Sequence, residues 1–170
     1  PGTVLACVDS HTCSAGVFNC AARGIGHPEM SYVCATGRTW FPVCETIRYD
    51  LTGELAPVLN GKDIILHIAN EFGDHAMRNV EFVGDGVTKM SINARRTLAT
   101  MCAEISAEFA VFEADDICQA YIKERNTSAE FEAQFADVDA VYEAKRTVDL
   151  IALEPLVAYP DTIVENARPV

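Results

Sequence analysis

Asp9-Ser10-His11-Thr12 places a carboxylate, an imidazole and two hydroxyls on four consecutive residues. Such a set can hold a substrate carboxylate through hydroxyl donors and move a proton through the imidazole. The string follows an apolar run, residues 3–8, that reads as a buried strand ending in a loop. In α/β sheets the carboxyl ends of strands are where ligands are commonly held. The string is not a nucleophile elbow, because the G-x-S-x-G frame is missing. Taken alone it has an equally plain structural reading, since Asp and Ser cap short helices through local turns.

The elements that must position this turn are legible in outline. Ser14 precedes residues 15–23, a candidate short helix closed by Gly24 and Gly26, and Pro28 opens a second one over 29–35, ended by Gly37. Residues 45–51 alternate as a strand, 62–72 carry Ile64, Ile65, Ile68 and Phe72 at helical spacing, and 79–83 form a short strand before Gly84. The longest helix is expected over 91–105, then a strand over 109–112 and a helix over 115–124 capped by Asp115 or Asp116. Residues 126–137 read as an acidic loop with a short helix, and 148–157 as extended and apolar. Alternating strands and helices predict an α/β layered domain over residues 1–158, and the aperiodic tail 159–170 reads as a linker.

Composition narrows the function classes. The 170 residues carry a net charge of −12, and the sequence pI is near 4.6. Residues 1–100 hold eight basic and ten acidic side chains, whereas 101–170 hold five and fifteen. Without a Lys/Arg patch, nucleic acid is a poor partner, because that affinity comes largely from cations replacing counterions. No apolar run reaches 18 residues, so no membrane-spanning helix is expected. All ten glycines lie at or before Gly86, which concentrates close backbone approaches in the front half. The seven cysteines include no C-x-x-C pair and read as small hydrophobes in a reducing compartment, the cytoplasm or an organelle matrix. His27 and His67 read as structural, His75 beside Asp74 as more open, and Trp40-Phe41 as packing.

The wider pattern resembles the aconitase superfamily. After Asp9-Ser10-His11-Thr12 come Gly24-Ile25-Gly26, Ala35-Thr36-Gly37-Arg38-Thr39-Trp40-Phe41 and Glu45-Thr46-Ile47. Leu51-Thr52-Gly53, Lys62-Asp63-Ile64, Val80-Glu81-Phe82-Val83-Gly84, Ala103-Glu104-Ile105 and Leu153-Glu154-Pro155 continue it in order. It is nearest the large subunits of 3-isopropylmalate dehydratases and homoaconitases. The resemblance implies a layered αβα domain of the aconitase type. It implies a hydro-lyase isomerising a small hydroxy di- or tricarboxylate, as in leucine biosynthesis, with a [4Fe–4S] cluster. By resemblance, Asp9 supports the catalytic base, Ser10 contacts a substrate carboxylate, His11 bonds substrate or water, and Glu81 pairs with an upstream histidine. Glu104 also matches a family position, but a helix-borne glutamate could equally anchor an arginine.

The cluster cysteines of the family would fall downstream of Leu153-Glu154-Pro155, so no metal ligand is assigned among Pro1–Val170. The partners implied are the remaining domains of a large subunit and a small subunit. Related substrates (homocitrate or homoaconitate, maleate, dimethylmalate) stay open. So does a non-catalytic interaction domain, which finds support in Thr100, where the family carries asparagine, and in His75.

Overall fold

The computed structural model describes residues 1–128 and 130–170. Its centre is a four-stranded, all-parallel sheet built from β3 (Glu45–Thr52), β4 (Arg78–Val83), β5 (Ala110–Phe112) and β6 (Ala144–Asp149), in the order β5-β4-β3-β6. Two shorter strands, β1 (Val4–Cys7) and β2 (Ala21–Gly24), pair in parallel beside it. The α/β architecture is therefore the expected one.

Strand alternation decides what the main sheet buries. Ile47, Tyr49 and Leu51 of β3 point into the core with Val80 and Phe82 of β4 and Phe112 of β5. Tyr49, Phe82 and Phe112 form a column, with ring centroids 5.9 and 4.9 Å apart. Two helices cover this inner face. Helix α2 (Gly61–Phe72) begins in a capping box made by Asn60 and Asp63 and buries Ile64, Ile65, Ile68 and Ala69. Helix α4 (Ile92–Met101), capped by Ser91, lays Leu98 and Ala99 against it. Its buried Arg95 grips Asp115 through two hydrogen bonds of 2.9 and 2.6 Å. Asp115 also caps α5 (Asp116–Arg125) at the Cys118 amide. Burial works against the Asp115 charge, but the Arg95 and Cys118 donors hold its carboxyl below the usual range.

The outer face is covered differently. Residues 130–143 cross it as irregular structure, with Ala136, Ala140, Val141 and Tyr142 over Thr46, Asn79 and Glu81. The short helix expected within 126–137 is not found among the described residues, since that acidic stretch has no apolar stripe to bury.

Three other expectations are corrected. Residues 15–23 are not a helix: a 3-10 run, Ser10–Phe18, is capped by Asp9 rather than Ser14, and residues from Ala21 onward pair as β2. The helix over 91–105 stops at Met101 and tightens into a 3-10 turn, Cys102–Ile105, ended by Ser106 at φ 63°. The extended run 148–157 is interrupted by a 3-10 turn, Leu150–Ala152, which Asp149 caps. Within the tail, β8 (Ala167–Pro169) pairs antiparallel with β7 (Leu156–Ala158), and Asn70 of α2 clamps both backbone groups of Ala167. The helix at 29–35 is α1 (His27–Thr36), with Gly37 left-handed at its end, and α3 is Asp85–Lys89.

Candidate active site

The Asp9 side chain accepts from the His11 amide at 2.6 Å, while the Asp9 carbonyl accepts from Thr12. This cap turns the chain sharply out of β1 and sets Ser10 and His11 on an exposed corner. The Ser10 hydroxyl and the His11 ring make no hydrogen bond to protein among the described residues, so both are free for a ligand. Cys13 ties the turn to its neighbours, its thiol lying 3.4 Å from the carbonyls of Ser10 and Thr100.

Asp9 and Ser10 line a cleft of about 680 Å³. The same cleft is lined by Ala103, Ser106, Ala107 and Glu108, by Met77 and His27, and by Arg23-Gly24-Ile25. Thus β1 and β2 bring their carboxyl ends, and the residues just before β4 and β5 supply much of the rest. The loop at 73–77 and the turn at 102–107 are joined where the His75 amide donates to Ile105 and Ser106 reaches Asp74. His11 faces the adjoining hollow with Ser14, Arg96 and Thr100.

The four expected site residues do not all meet. Asp9, Ser10 and His11 share one turn. Glu81 lies mid-strand in β4, on the outer face, in a separate hollow with Tyr142, Thr46 and Val111. There, burial and the neighbouring Glu81 push the Tyr142 phenol up, and burial with the Glu81 charge pushes the Glu113 carboxyl up. Glu104, by contrast, sits in the 3-10 turn whose neighbours Ala103 and Ser106 line the Asp9 cleft. It is exposed and makes no ion pair among the described residues, so it anchors no arginine.

Three cleft residues carried no signal in the sequence. Arg23, Glu108 and His27 come together only through the β1–β2 pairing and the turn before β5. His27, expected to be structural, is exposed at the cleft. His75 is buried: its Nε2 lies 2.7 Å from the Tyr49 hydroxyl and its Nδ1 2.9 Å from the Gly73 carbonyl. Burial holds its pKa below the usual histidine value, with the Arg146 charge acting the same way. His67 pairs with Glu71 on α2. Phe41 packs edge-on to Phe109, as expected, but Trp40 is 81% exposed.

The cysteines do not fit an iron–sulfur cluster. Cys13, Cys20, Cys102 and Cys118 are buried, and burial pushes their thiols up, that of Cys118 to about 11. Cys7 and Cys34, in apolar sequence contexts, are exposed rather than buried. No three His, Cys, Asp or Glu side chains converge as a metal site among the described residues.

The model of the aconitase family (aconitate hydratase) matches residues 1–168. The chain belongs to the aconitase family. It is 46% identical, over 98% of its length, to a 3-isopropylmalate dehydratase large subunit of Mycolicibacterium smegmatis, covering 39% of that protein. It is 41% identical, over its full length, to a probable methanogen homoaconitase large subunit of Methanothermobacter thermautotrophicus, covering 40% of it. A 2,3-dimethylmalate dehydratase large subunit of Eubacterium barkeri is 38% identical over 99% of the chain and 40% of that protein. The chain spans about two fifths of the length of the curated relatives it matches.

Proposed function

We propose that the chain is part of the large, catalytic subunit of a [4Fe–4S]-dependent hydro-lyase that dehydrates and rehydrates a hydroxy di- or tricarboxylate, with 3-isopropylmalate as the leading substrate. The observation that carries this reading is the exposed corner itself. A family aconitase turn presents an unengaged hydroxyl and an unengaged imidazole beside a cleft of about 680 Å³. In this reading Ser10 donates to a substrate carboxylate and the His11 ring hydrogen-bonds the departing hydroxyl. Histidine is the side-chain type that exchanges protons most readily near neutral pH. Asp9, spent on the His11 amide, fixes the direction of both. Glu81 has no step in this cleft. The cluster is held by residues outside this chain, and a small subunit completes the enzyme, in keeping with relatives named as large subunits. The enzyme works in the cytoplasm or an organelle matrix. Homocitrate/homoaconitate and dimethylmalate are the substrates of the second reading, favoured by the homoaconitase and dimethylmalate dehydratase among the relatives.

The test is turnover of the complete protein with its small subunit, followed through the ultraviolet absorbance of the unsaturated acid. Wild type is expected to turn over 3-isopropylmalate, and His11→Ala to lose about a hundredfold or more in kcat with an unchanged circular dichroism spectrum. A wild-type protein inert toward every hydroxycarboxylate named here would instead be a binding domain that kept the fold, and the reading would fall.

A further inference from the structure

A substrate carrying two or three carboxylates must settle beside Asp9, in a protein with a net charge of −12. Like charges at close range are costly unless a cation is placed between or beside them. The cleft contains one guanidinium, that of Arg23. The strand register fixes where it stands: Arg23 of β2 lies opposite Ala6 of β1, and the next residue, Gly24, packs on the Asp9 carbonyl. A Cβ at Gly24 would come within 2.5 Å of that oxygen, so the close approach of Arg23 to the triplet depends on glycine there.

Arg23 is held on two sides. Glu108, 8% exposed, faces it with a carboxylate oxygen sealed from solvent, and the two form an ion pair. Phe41 offers its ring face 6.0 Å from the guanidinium carbon, and is itself braced by Phe109. The pair occupies Nη1, whereas the other guanidinium nitrogens of Arg23 have no protein acceptor among the described residues. The guanidinium also lines the adjoining hollow walled by Trp40, Phe41 and Pro42. An arginine tied at one corner and open along its other edge is suited to take a carboxylate in a two-point contact.

We infer that Arg23 binds a carboxylate of the substrate in the Asp9–Ser10 cleft and that Glu108 is its positioning residue. This rests on the hydro-lyase reading for the identity of the anion, and deepens it by naming the residue that recognises the substrate class. Removing Arg23 alone would strand a buried carboxylate at Glu108. The decisive variant is therefore the double replacement Arg23→Met/Glu108→Gln, with Arg23→Lys and Glu108→Gln beside it.

The complete protein with its small subunit is assayed on the hydroxycarboxylate and on its monomethyl esters. Binding of a saturated, unreactive dicarboxylate such as succinate or 2-isopropylsuccinate is measured by calorimetry. The double variant is expected to raise KM and the dicarboxylate Kd by between about tenfold and a hundredfold, with kcat changed much less. It should also lose the wild-type discrimination against one of the two monoesters. Arg23→Lys should recover part of the affinity, and Glu108→Gln should weaken binding by a few-fold through a looser guanidinium. An unchanged KM, Kd and ester discrimination in the double variant of an active enzyme overturns the role of Arg23 and leaves the hydro-lyase reading standing. If the wild type has no turnover, that reading falls, and the calorimetry still decides: dicarboxylate affinity that depends on Arg23 supports the inference, and affinity that does not refutes it.

Discussion

Two polar regions of the molecule differ in how much of their bonding capacity is already spent. On the outer face of the main sheet, strand residues Arg48, Glu81 and Lys145 gather around Tyr142 of the crossover that covers them. The Arg48 guanidinium donates to Tyr142 at 3.4 Å and lies over its ring, Lys145 approaches the same ring, and Glu81 sits beside the Tyr142 phenol. At the cleft, groups come from strand ends and a capped turn, and Ser10 and most of Arg23 remain unengaged, as does His11 on the adjoining side of the same turn. A segment laid flat across paired strands brings its side chains into contact with theirs, whereas segment ends converge from different directions and leave room between them. Unspent donors around a cavity are what a ligand can use.

The comparison can be broken by experiment. The largest contrast is between His11→Ala, with its loss of about a hundredfold or more in turnover, and Glu81→Gln, expected to lower turnover far less. Equal losses in the complete enzyme, measured side by side, would erase the distinction between the two regions. Next in size is Gly24→Ala. It forces a methyl group against the Asp9 carbonyl and should cost about 1–3 kcal/mol in chemical denaturation while raising KM together with lowering kcat. A variant as stable and as active as wild type would show that the cleft wall yields freely.

The buried histidine gives a third test. His75 has a folded pKa below its ordinary value of 6.5. Its contribution is therefore full above about pH 6.5 and is lost as the pH falls below that value toward the folded pKa, because the unfolded chain takes up the proton first. Protonation also sets an imidazolium N–H against the Tyr49 hydroxyl, which already accepts from Arg146 at 2.7 Å. Replacing His75 by Gln should flatten this part of the stability–pH curve, and an unaltered slope would place the titration elsewhere. The smallest effect belongs to the outer face: Glu81→Gln should change stability by less than about 1 kcal/mol in urea titrations, since half-buried Glu81 makes no ion pair among the described residues.

Much of the fold was legible because periodicity reports burial. Ile64, Ile65 and Ile68 marked α2, and the alternation around Ile47, Tyr49 and Leu51 marked β3. What failed was local competition. Asp9 outbid Ser14 as a cap because its carboxylate reaches the His11 amide, and strand pairing with β1 then claimed residues from Ala21 onward. The triplet was legible as consecutive residues. Arg23 and Glu108 were not, since 85 positions of chain separate two residues that only the tertiary fold sets face to face. Glu81 came from a motif match, and the fold sets it mid-strand on the outer face, in a hollow apart from the cleft.

The crossover between α5 and β6 carries a consequence for how the chain reaches this structure. Strands β3, β4 and β5 follow one another through α2 and α4, so their pairings close short loops. β6 must instead find β3 across the length of that unit, and the Tyr49–Arg146 bond joins residues 97 apart in sequence. Closing the longer loop costs more chain entropy, which makes β6 the strand expected to dock last. The Arg146 guanidinium, lying 4.4 Å from the Phe72 ring and donating to Tyr49, then acts as a latch on an assembled sheet rather than as part of its nucleus. Loosening it would hasten unfolding while leaving the refolding rate nearly as it was.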